Sequence, residues 1–152
     1  MKREFNKIDS IITNWMKAYG LTSLRFSLAI IFIWFGLLKI LGNSPANELV
    51  TKTIYWFDPS WFIPILGTWE VMIGICFLYL PLIRLAIFLL LPQMIGAFLP
   101  LILLPGNVYT SFPFGLTIEG QYIIKNLIII SSALVIGSHV RDNKQRKIVK
   151  KR

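Results

Sequence analysis

Four apolar runs, each about as long as a bilayer is thick, constrain this chain more than any other feature. About 20 helical residues cross the ~30 Å hydrocarbon core of a bilayer. Only 15% of the residues are charged and 55% are hydrophobic, whereas soluble domains carry about 25% charged residues. No run shows the alternating polarity of membrane barrel strands. The sequence predicts an all-α, integral membrane four-helix bundle, with spans at residues 21–41, 61–80, 82–104 and 122–140.

Residues 1–20 differ from the spans because charged and polar side chains interrupt their apolar ones. Large apolar residues recur there at helical spacing, among them Ile8, Ile12, Trp15 and Tyr19. This pattern predicts an amphipathic helix that lies flat on the cytoplasmic leaflet and ends at Gly20. A lead-in helix packed under the bundle is the alternative interpretation.

The net charge of +9 is unevenly distributed along the chain. Basic residues cluster before the first span and again in residues 141–152, which form a basic tail. By the positive-inside rule, both termini face the cytoplasm and loops 42–60 and 105–121 face outside. A basic tail beside a span favours contact with anionic lipid. The predicted partner is therefore the lipid bilayer, and no nucleic acid partner is expected.

Small or polar residues recur on each span at alternating spacings of four and three. Such stripes are typical of the contact surfaces in left-handed helix bundles. The predicted stripes are Arg25, Ala29, Phe32, Gly36 and Lys39; Ile63, Gly67, Glu70, Gly74 and Phe77; Ala86, Leu90, Gln93, Ala97 and Pro100; and Lys125, Ile129, Ser132, Ile136 and His139.

Glu70 lies at the centre of the second run, where a carboxylate costs roughly 2.5–3.5 kcal/mol on insertion scales for Asp. Lys39 and Lys125 lie near the outer ends of other spans, within side-chain reach of one carboxylate. The sequence predicts that both lysines approach Glu70. With Glu119 at the outer mouth the charges would balance, and if Glu119 stays in solvent the pocket carries surplus positive charge. Lys39, Glu70 and Lys125 are the candidate catalytic residues. The further ligand-binding candidates are Arg25, Trp34, Trp69, Gln93, Glu119, Tyr122 and Asn126.

The same charges have a second interpretation as a structural clamp that fixes helix register. The single cysteine, Cys76, excludes an internal disulfide and a CxxC redox pair, and the single histidine, His139, excludes bis-histidine haem ligation within one chain. No metal site and no complete catalytic set are predicted. Whether the chain is an enzyme stays open.

Three segments resemble DoxX-like membrane proteins, closest to the YkgB/RclC-type branch linked to reactive-chlorine resistance. They are residues 24–39 (LRFSLAI through WFGLLK), 67–74 (GTWEVMIG) and 119–126 (EGQYIIKN). The resemblance covers residues 21–140. It implies a four-helix, multi-pass protein of the bacterial inner membrane, associated with thiosulfate:quinone oxidoreduction, oxidant defence or membrane-protein assembly.

The leading functional hypothesis is an accessory protein in membrane redox or oxidant-stress physiology. Quinone is the one cofactor considered, and a small sulfur or chlorine species is the other ligand class. Lysines would hold the ligand oxygen, while Glu70 would set their charge and relay a proton. The partner would be a membrane redox protein or a second copy of the chain. The alternatives are a non-enzymatic assembly factor or structural subunit, and a small-solute or proton transporter.

Overall fold

The computed structural model describes residues 2–149, and the side chains of residues 6–140. Within this part the chain is helical except for short connections and one hairpin, which confirms the predicted all-α bundle. Four helices are long and apolar enough to cross a membrane: Asn6–Ile40, Pro59–Leu78, Leu80–Leu103 and Ile118–Val140. The elements are α1 (Lys2–Ile40), α2 (Asn47–Thr53), α3 (Pro59–Leu78), a 3₁₀ turn (Leu80–Leu82), α4 (Ile83–Phe98), α5 (Pro100–Leu103), α6 (Pro105–Val108), β1 (Tyr109–Ser111), β2 (Gly115–Leu116) and α7 (Ile118–Val149).

Helix α1 runs without interruption from Lys2 to Ile40, so the predicted end at Gly20 is wrong. A single glycine costs a helix only about 1 kcal/mol relative to alanine, which the helical residues on both sides outweigh. Gly20 has helical backbone, and a side chain added there would meet nothing within 4 Å, so neither the backbone conformation nor the packing requires glycine. A separate interfacial helix is therefore not formed, and residues 6–20 extend the first span.

The four long helices form a ring in which each contacts two neighbours. Helix α1 packs most extensively on α3, α3 packs on α4, and α4 packs on α7. The contact that closes the ring, between α1 and α7, is the least extensive of the four. A single apolar core fills the bundle: Leu28, Ala29, Phe32, Ile73, Cys76, Phe77, Ile83, Ala86, Leu89, Leu90, Met94, Ala133 and Ile136.

The predicted stripes on the first three spans face the interior, whereas the fourth does so only in part. On α7, Ile136 of the predicted stripe is buried together with Ile123 and Ala133, while Lys125 and His139 at the two ends of the predicted stripe are exposed. The predicted stripe would have carried two ionisable side chains into the core. The observed stripe is apolar and avoids their desolvation.

The third span is broken where proline removes a backbone donor. Helix α4 ends at Phe98 and α5 begins at Pro100, as expected for a residue that lacks an N–H group. The break lies at the end of the bundle that also carries α2 and the β1–β2 hairpin, and α2 packs against α5 there. We call this the loop end of the bundle.

Helix boundaries on the second and fourth spans differ slightly from the predicted ones. Helix α3 begins at Pro59, and the Asp58 side chain accepts a hydrogen bond from the Ser60 N–H at 2.8 Å. Proline at the first helical position and aspartate at the cap are both favourable helix starts. Helix α7 begins at Ile118 and runs to Val149, past the predicted end at residue 140. The side chains of the basic tail, residues 141–152, lie outside the described residues.

Candidate functional site

Glycines bring α1 and α3 into close contact beside the polar site. A side-chain carbon built on Gly36 would lie 2.5 Å from the Gly67 carbonyl oxygen, and one on Gly74 would lie 2.8 Å from the Ala29 carbonyl oxygen. These distances leave no room for any side chain at either glycine. Small residues are what allow helix backbones to approach this closely. The predicted role of the glycines that flank Glu70 is therefore confirmed.

This close approach sets Lys39 of α1 against Glu70 of α3. The Lys39 Nζ atom lies 2.7 Å from Glu70 Oε2, and each side chain is only 8% exposed. The Lys39 stem passes over Gly67, where a side-chain carbon would lie 2.9 Å from Lys39 Cβ. Lys39 also occupies the last turn of α1, where unpaired carbonyl groups favour a cation. The predicted pairing of Lys39 with Glu70 is present in the structure.

Gln93 of α4 completes the coordination of the carboxylate. Its Nε2 donates a hydrogen bond of 2.6 Å to Glu70 Oε1, so both carboxylate oxygens accept a hydrogen bond. The neighbouring Trp69 donates its indole N–H to the Leu89 carbonyl at 3.0 Å, which ties α3 to α4 again. We call Lys39, Glu70 and Gln93 the polar triad. It joins three different helices through two hydrogen bonds to one carboxylate.

The sequence predicts Gln93 as a ligand-binding residue on the third stripe, but not as a hydrogen-bond donor to Glu70. Both residues lie near the middle of their apolar runs, at residues 61–80 and 82–104. Antiparallel neighbouring spans place their midpoints at the same depth, so a donor amide and a lone carboxylate would meet there. Equal depth was therefore the signal that could have predicted the contact.

Lys125 does not join the triad, which corrects the prediction that two lysines approach Glu70. It is exposed, and its Nζ lies 4.9 Å from the centre of the Tyr122 ring, one turn earlier on α7. Among the described residues, Lys39 is the one cation within ion-pair distance of Glu70. A second buried ammonium would have lacked a counter-ion, which is costly in a low-dielectric interior. The site is charge-neutral, and the expected surplus positive charge is absent.

Arg25 is half-buried near the middle of α1. Its guanidinium carbon lies 5.1 Å from the centre of the Phe26 ring, a distance suited to a cation–π contact. Its Nε atom is buried and has no hydrogen-bond acceptor among the described residues. Arg25 lies about four turns from Lys39 on the same helix and is separate from the triad.

The remaining candidates lie around the bundle surface rather than at the triad. Trp34 is exposed on the face of α1 that points away from the bundle. Glu119 and Tyr122 are exposed at the start of α7. Asn126 is half-buried on α7. Within residues 6–140, no hydrogen bond or ion pair connects any of these four side chains to the triad.

Cys76 and His139 both lie apart from the polar triad. Cys76 is buried in the apolar core. His139 is exposed, and its Nδ1 lies 2.9 Å from the Val135 carbonyl oxygen of its own helix. Because a carbonyl can only accept, Nδ1 carries the proton in this arrangement.

Two charged groups at the loop end have perturbed pKa values. Lys52 donates a 2.7 Å hydrogen bond to Glu48 on the exposed side of α2, and this contact lowers the pKa of Glu48. The hydrogen bond from the Ser60 N–H lowers the pKa of Asp58. Both carboxylates are therefore stabilised in their charged form by local contacts within their own helix turn.

The comparisons with known proteins add no family. No protein-family model matches the chain, and no curated protein or solved structure matches it. The resemblance to DoxX-like proteins thus depends on the three sequence segments alone. The features that carry a functional argument are the apolar bundle and the buried polar triad within it.

Proposed function

We propose that this membrane protein binds a quinone-type carbonyl at the polar triad and serves as an accessory in membrane redox or oxidant-stress physiology. The Lys39 ammonium carries the proposal. It has three N–H donors, and one of them bonds Glu70. The other two have no protein acceptor among residues 6–140. A buried ammonium with unused donors favours a ligand oxygen.

The charge balance of the triad favours a neutral ligand over an anion. Lys39 and Glu70 neutralise each other at 2.7 Å. A carbonyl oxygen can accept from Lys39 without adding charge, whereas an oxyanion of sulfur or chlorine would leave one negative charge uncompensated in a dry site. Gln93 holds the second carboxylate oxygen in place. The triad would thus keep Lys39 charged and oriented toward the ligand.

Binding of a water-soluble short-chain quinone to the purified protein in lipid nanodiscs tests this proposal. A hydrogen bond from a charged donor contributes about 1.5–3 kcal/mol, so Lys39→Met should weaken binding roughly 10- to 150-fold. Lys125→Met is the matched control, because that lysine is exposed and outside the triad. The affinity of this variant for the quinone should stay within about twofold of the wild-type affinity. Labelling of the buried Cys76 thiol reports whether each variant is folded.

Three results would overturn the proposal. One is the absence of saturable quinone binding by the wild-type protein. Another is equal binding by a folded Lys39→Met variant and the wild type. The third is saturable binding of thiosulfate in preference to quinone, which would show that the site takes an anion.

The second candidate function is a non-enzymatic assembly factor or structural subunit. The β1–β2 hairpin favours it, because Phe112 and Phe114 at its tip are 79% and 91% exposed at the loop end. We propose that this tip contacts an apolar surface of another membrane protein. A stoichiometric partner that co-purifies with the wild type in mild detergent, and is lost with Phe112→Ser/Phe114→Ser, would support it. A protein that purifies alone in both forms would contradict it.

We also propose a bacterial inner-membrane location with both termini in the cytoplasm. The distribution of basic residues around the spans supports this orientation. In this orientation the loop end lies on the outer side of the membrane. Reporter domains that are active on only one side of the membrane, fused at residue 1 and in the loop at residue 113, would test it. Equal signals from both fusions would contradict it.

A further inference from the structure

Helix α1 carries a second apolar stripe that the bundle does not use. At about 100° per residue, its members lie within an arc of roughly 100°. The centre of this arc lies about 100° from the bundle-facing residues Ala29 and Gly36. Each side chain is 43–68% exposed. We call these residues the outer stripe: Ile8, Ile12, Trp15, Tyr19, Phe26, Ile30, Trp34, Leu37 and, just past the helix end, Leu41.

The two halves of the outer stripe meet different surroundings. The 39 residues of α1 extend about 58 Å, which is nearly twice the ~30 Å hydrocarbon core. Lipid can cover the stripe from Phe26 to Leu41. The stripe from Ile8 to Tyr19 lies on the part of α1 that extends beyond one bilayer thickness. Exposed apolar surface of this size marks contact with another protein or with a membrane. The uninterrupted helix carries this part of the stripe away from the leaflet, which favours another protein.

The membrane half of the stripe is shaped to receive a facing helix. A groove of about 380 Å³ is lined by residues of α1, including Ile30, Trp34 and Leu37, and by Leu41 just past the helix end. Side chains of a neighbouring helix insert into such holes in a coiled-coil contact. The cytoplasmic half has matching spacing, because Ile8, Ile12, Trp15 and Tyr19 follow intervals of four, three and four.

We propose that the outer stripe is the interface of a parallel homodimer formed by two copies of α1. Every copy enters the membrane in the same direction, so two stripes meet in parallel and in register around a two-fold axis. An interface that pairs one surface with itself is the usual form in homodimers. Lys7 and Lys17 lie about 120° and 160° from the centre of the stripe, so these like charges do not face each other.

The available area is sufficient for a stable dimer. With about 100 Å² exposed on each large side chain of the stripe, each protomer offers roughly 900 Å², against about 800 Å² per partner in a standard interface. The stripe also has no charged residue that would select a different protein. Thr22 and Ser23 lie between its two halves and are small enough for the helices to approach.

Oxidative cross-linking of single cysteines in native membranes tests the dimer. The background is Cys76→Ala, which removes the natural thiol. Ile12→Cys lies in the stripe, and Ser10→Cys, about 160° around the same helix turn, is the matched control. A disulfide requires Cα atoms within about 7 Å, so Ile12→Cys should cross-link and Ser10→Cys should not. Leu37→Cys should cross-link as well, because the same stripe continues through the membrane.

The mass of the wild-type protein in nanodiscs gives an independent measurement. We expect the wild-type protein to have twice the 17.5 kDa mass of one chain. The double variant Ile12→Asp/Trp15→Asp should have the mass of a single chain. The proposal is overturned if the wild type has the mass of one chain, or if both cysteine variants cross-link equally. Efficient quenching of a fluorophore at residue 12 by spin-labelled lipid would show that lipid covers the stripe. A different protein bound there at equal stoichiometry would also overturn it.

Discussion

Removal of Lys39 should destabilise the bundle far more than removal of any exposed lysine. At the observed 2.7 Å separation, two unit charges attract by about 6 kcal/mol for an effective dielectric constant of 20. Part of this energy offsets the desolvation of both groups. Breaking a buried pair by deleting one partner costs about 3–5 kcal/mol in practice, because the other charge stays buried without compensation. We expect Lys39→Met to lower the unfolding free energy by about 3–5 kcal/mol.

The second step of this prediction is a double-mutant cycle. In Lys39→Met/Glu70→Met no buried charge remains, and replacing both members of a buried pair with apolar residues is often neutral or stabilising. The double variant should therefore be more stable than Lys39→Met alone, although Gln93 then loses its acceptor. Lys125→Met should change the unfolding free energy by no more than about 0.5 kcal/mol, as for other surface substitutions.

The assay can use the chain's own cysteine. Cys76 is buried in the core, so a thiol-reactive fluorophore reports unfolding in detergent as temperature or denaturant rises. The Lys39→Met curve should shift strongly and the Lys125→Met curve should not. Equal shifts for the two lysine variants would refute the reasoning, because they would show that the ion pair has no special energetic role.

Three further predictions use the same assay. Gly36→Ala should lower the unfolding free energy by about 1–3 kcal/mol, because the added methyl group would lie 2.5 Å from a backbone oxygen of α3. Gly96→Ala is the control, and it should be neutral or stabilising because nothing lies within 4 Å of the added group. Equal effects of the two substitutions would contradict the close contact between α1 and α3. Trp69→Phe should cost about 1 kcal/mol through loss of its indole hydrogen bond, and no change would mean that this bond is not formed. Asp58→Ala should lower stability at neutral pH. Folding lowers the pKa of Asp58. Its contribution to the unfolding free energy is therefore complete above the ordinary Asp pKa near 3.9 and is lost as pH falls through the lowered value. The stabilities of wild type and variant should converge in acid, and a difference that stays constant with pH would contradict the helix cap.

Much of the fold follows from local sequence pattern. The four spans are predicted from length and composition because a bilayer accepts apolar segments of about 20 residues. The interior stripes of the first three spans follow from the helical repeat of small and polar residues. The pairing of Lys39 with Glu70 was also predictable, because a lone carboxylate within an apolar run requires a partner.

The interior face of α7 and the continuity of α1 did not follow from local pattern. Lys125 and Asn126 are adjacent, and either could have faced the interior. The side of α7 that faces the interior depends on which groups of the other helices still need a partner. Gln93 supplies the second hydrogen-bond donor to Glu70, so Glu70 does not require Lys125. Likewise Gly20 carries only a weak helix-breaking tendency. Whether it ends a helix depends on what the flanking segments contact.

The sequence by itself determined that the chain is a membrane-spanning helical bundle with a buried acid and a lysine to neutralise it, because hydrophobic length and charge burial are properties of each segment alone. Only the tertiary structure decided that the site is neutral, that an amide rather than a second lysine completes it, and that one stripe of α1 is left outside the bundle. The physical reason is that desolvation and helix contact are shared between segments distant along the chain. Their balance is set when the helices meet.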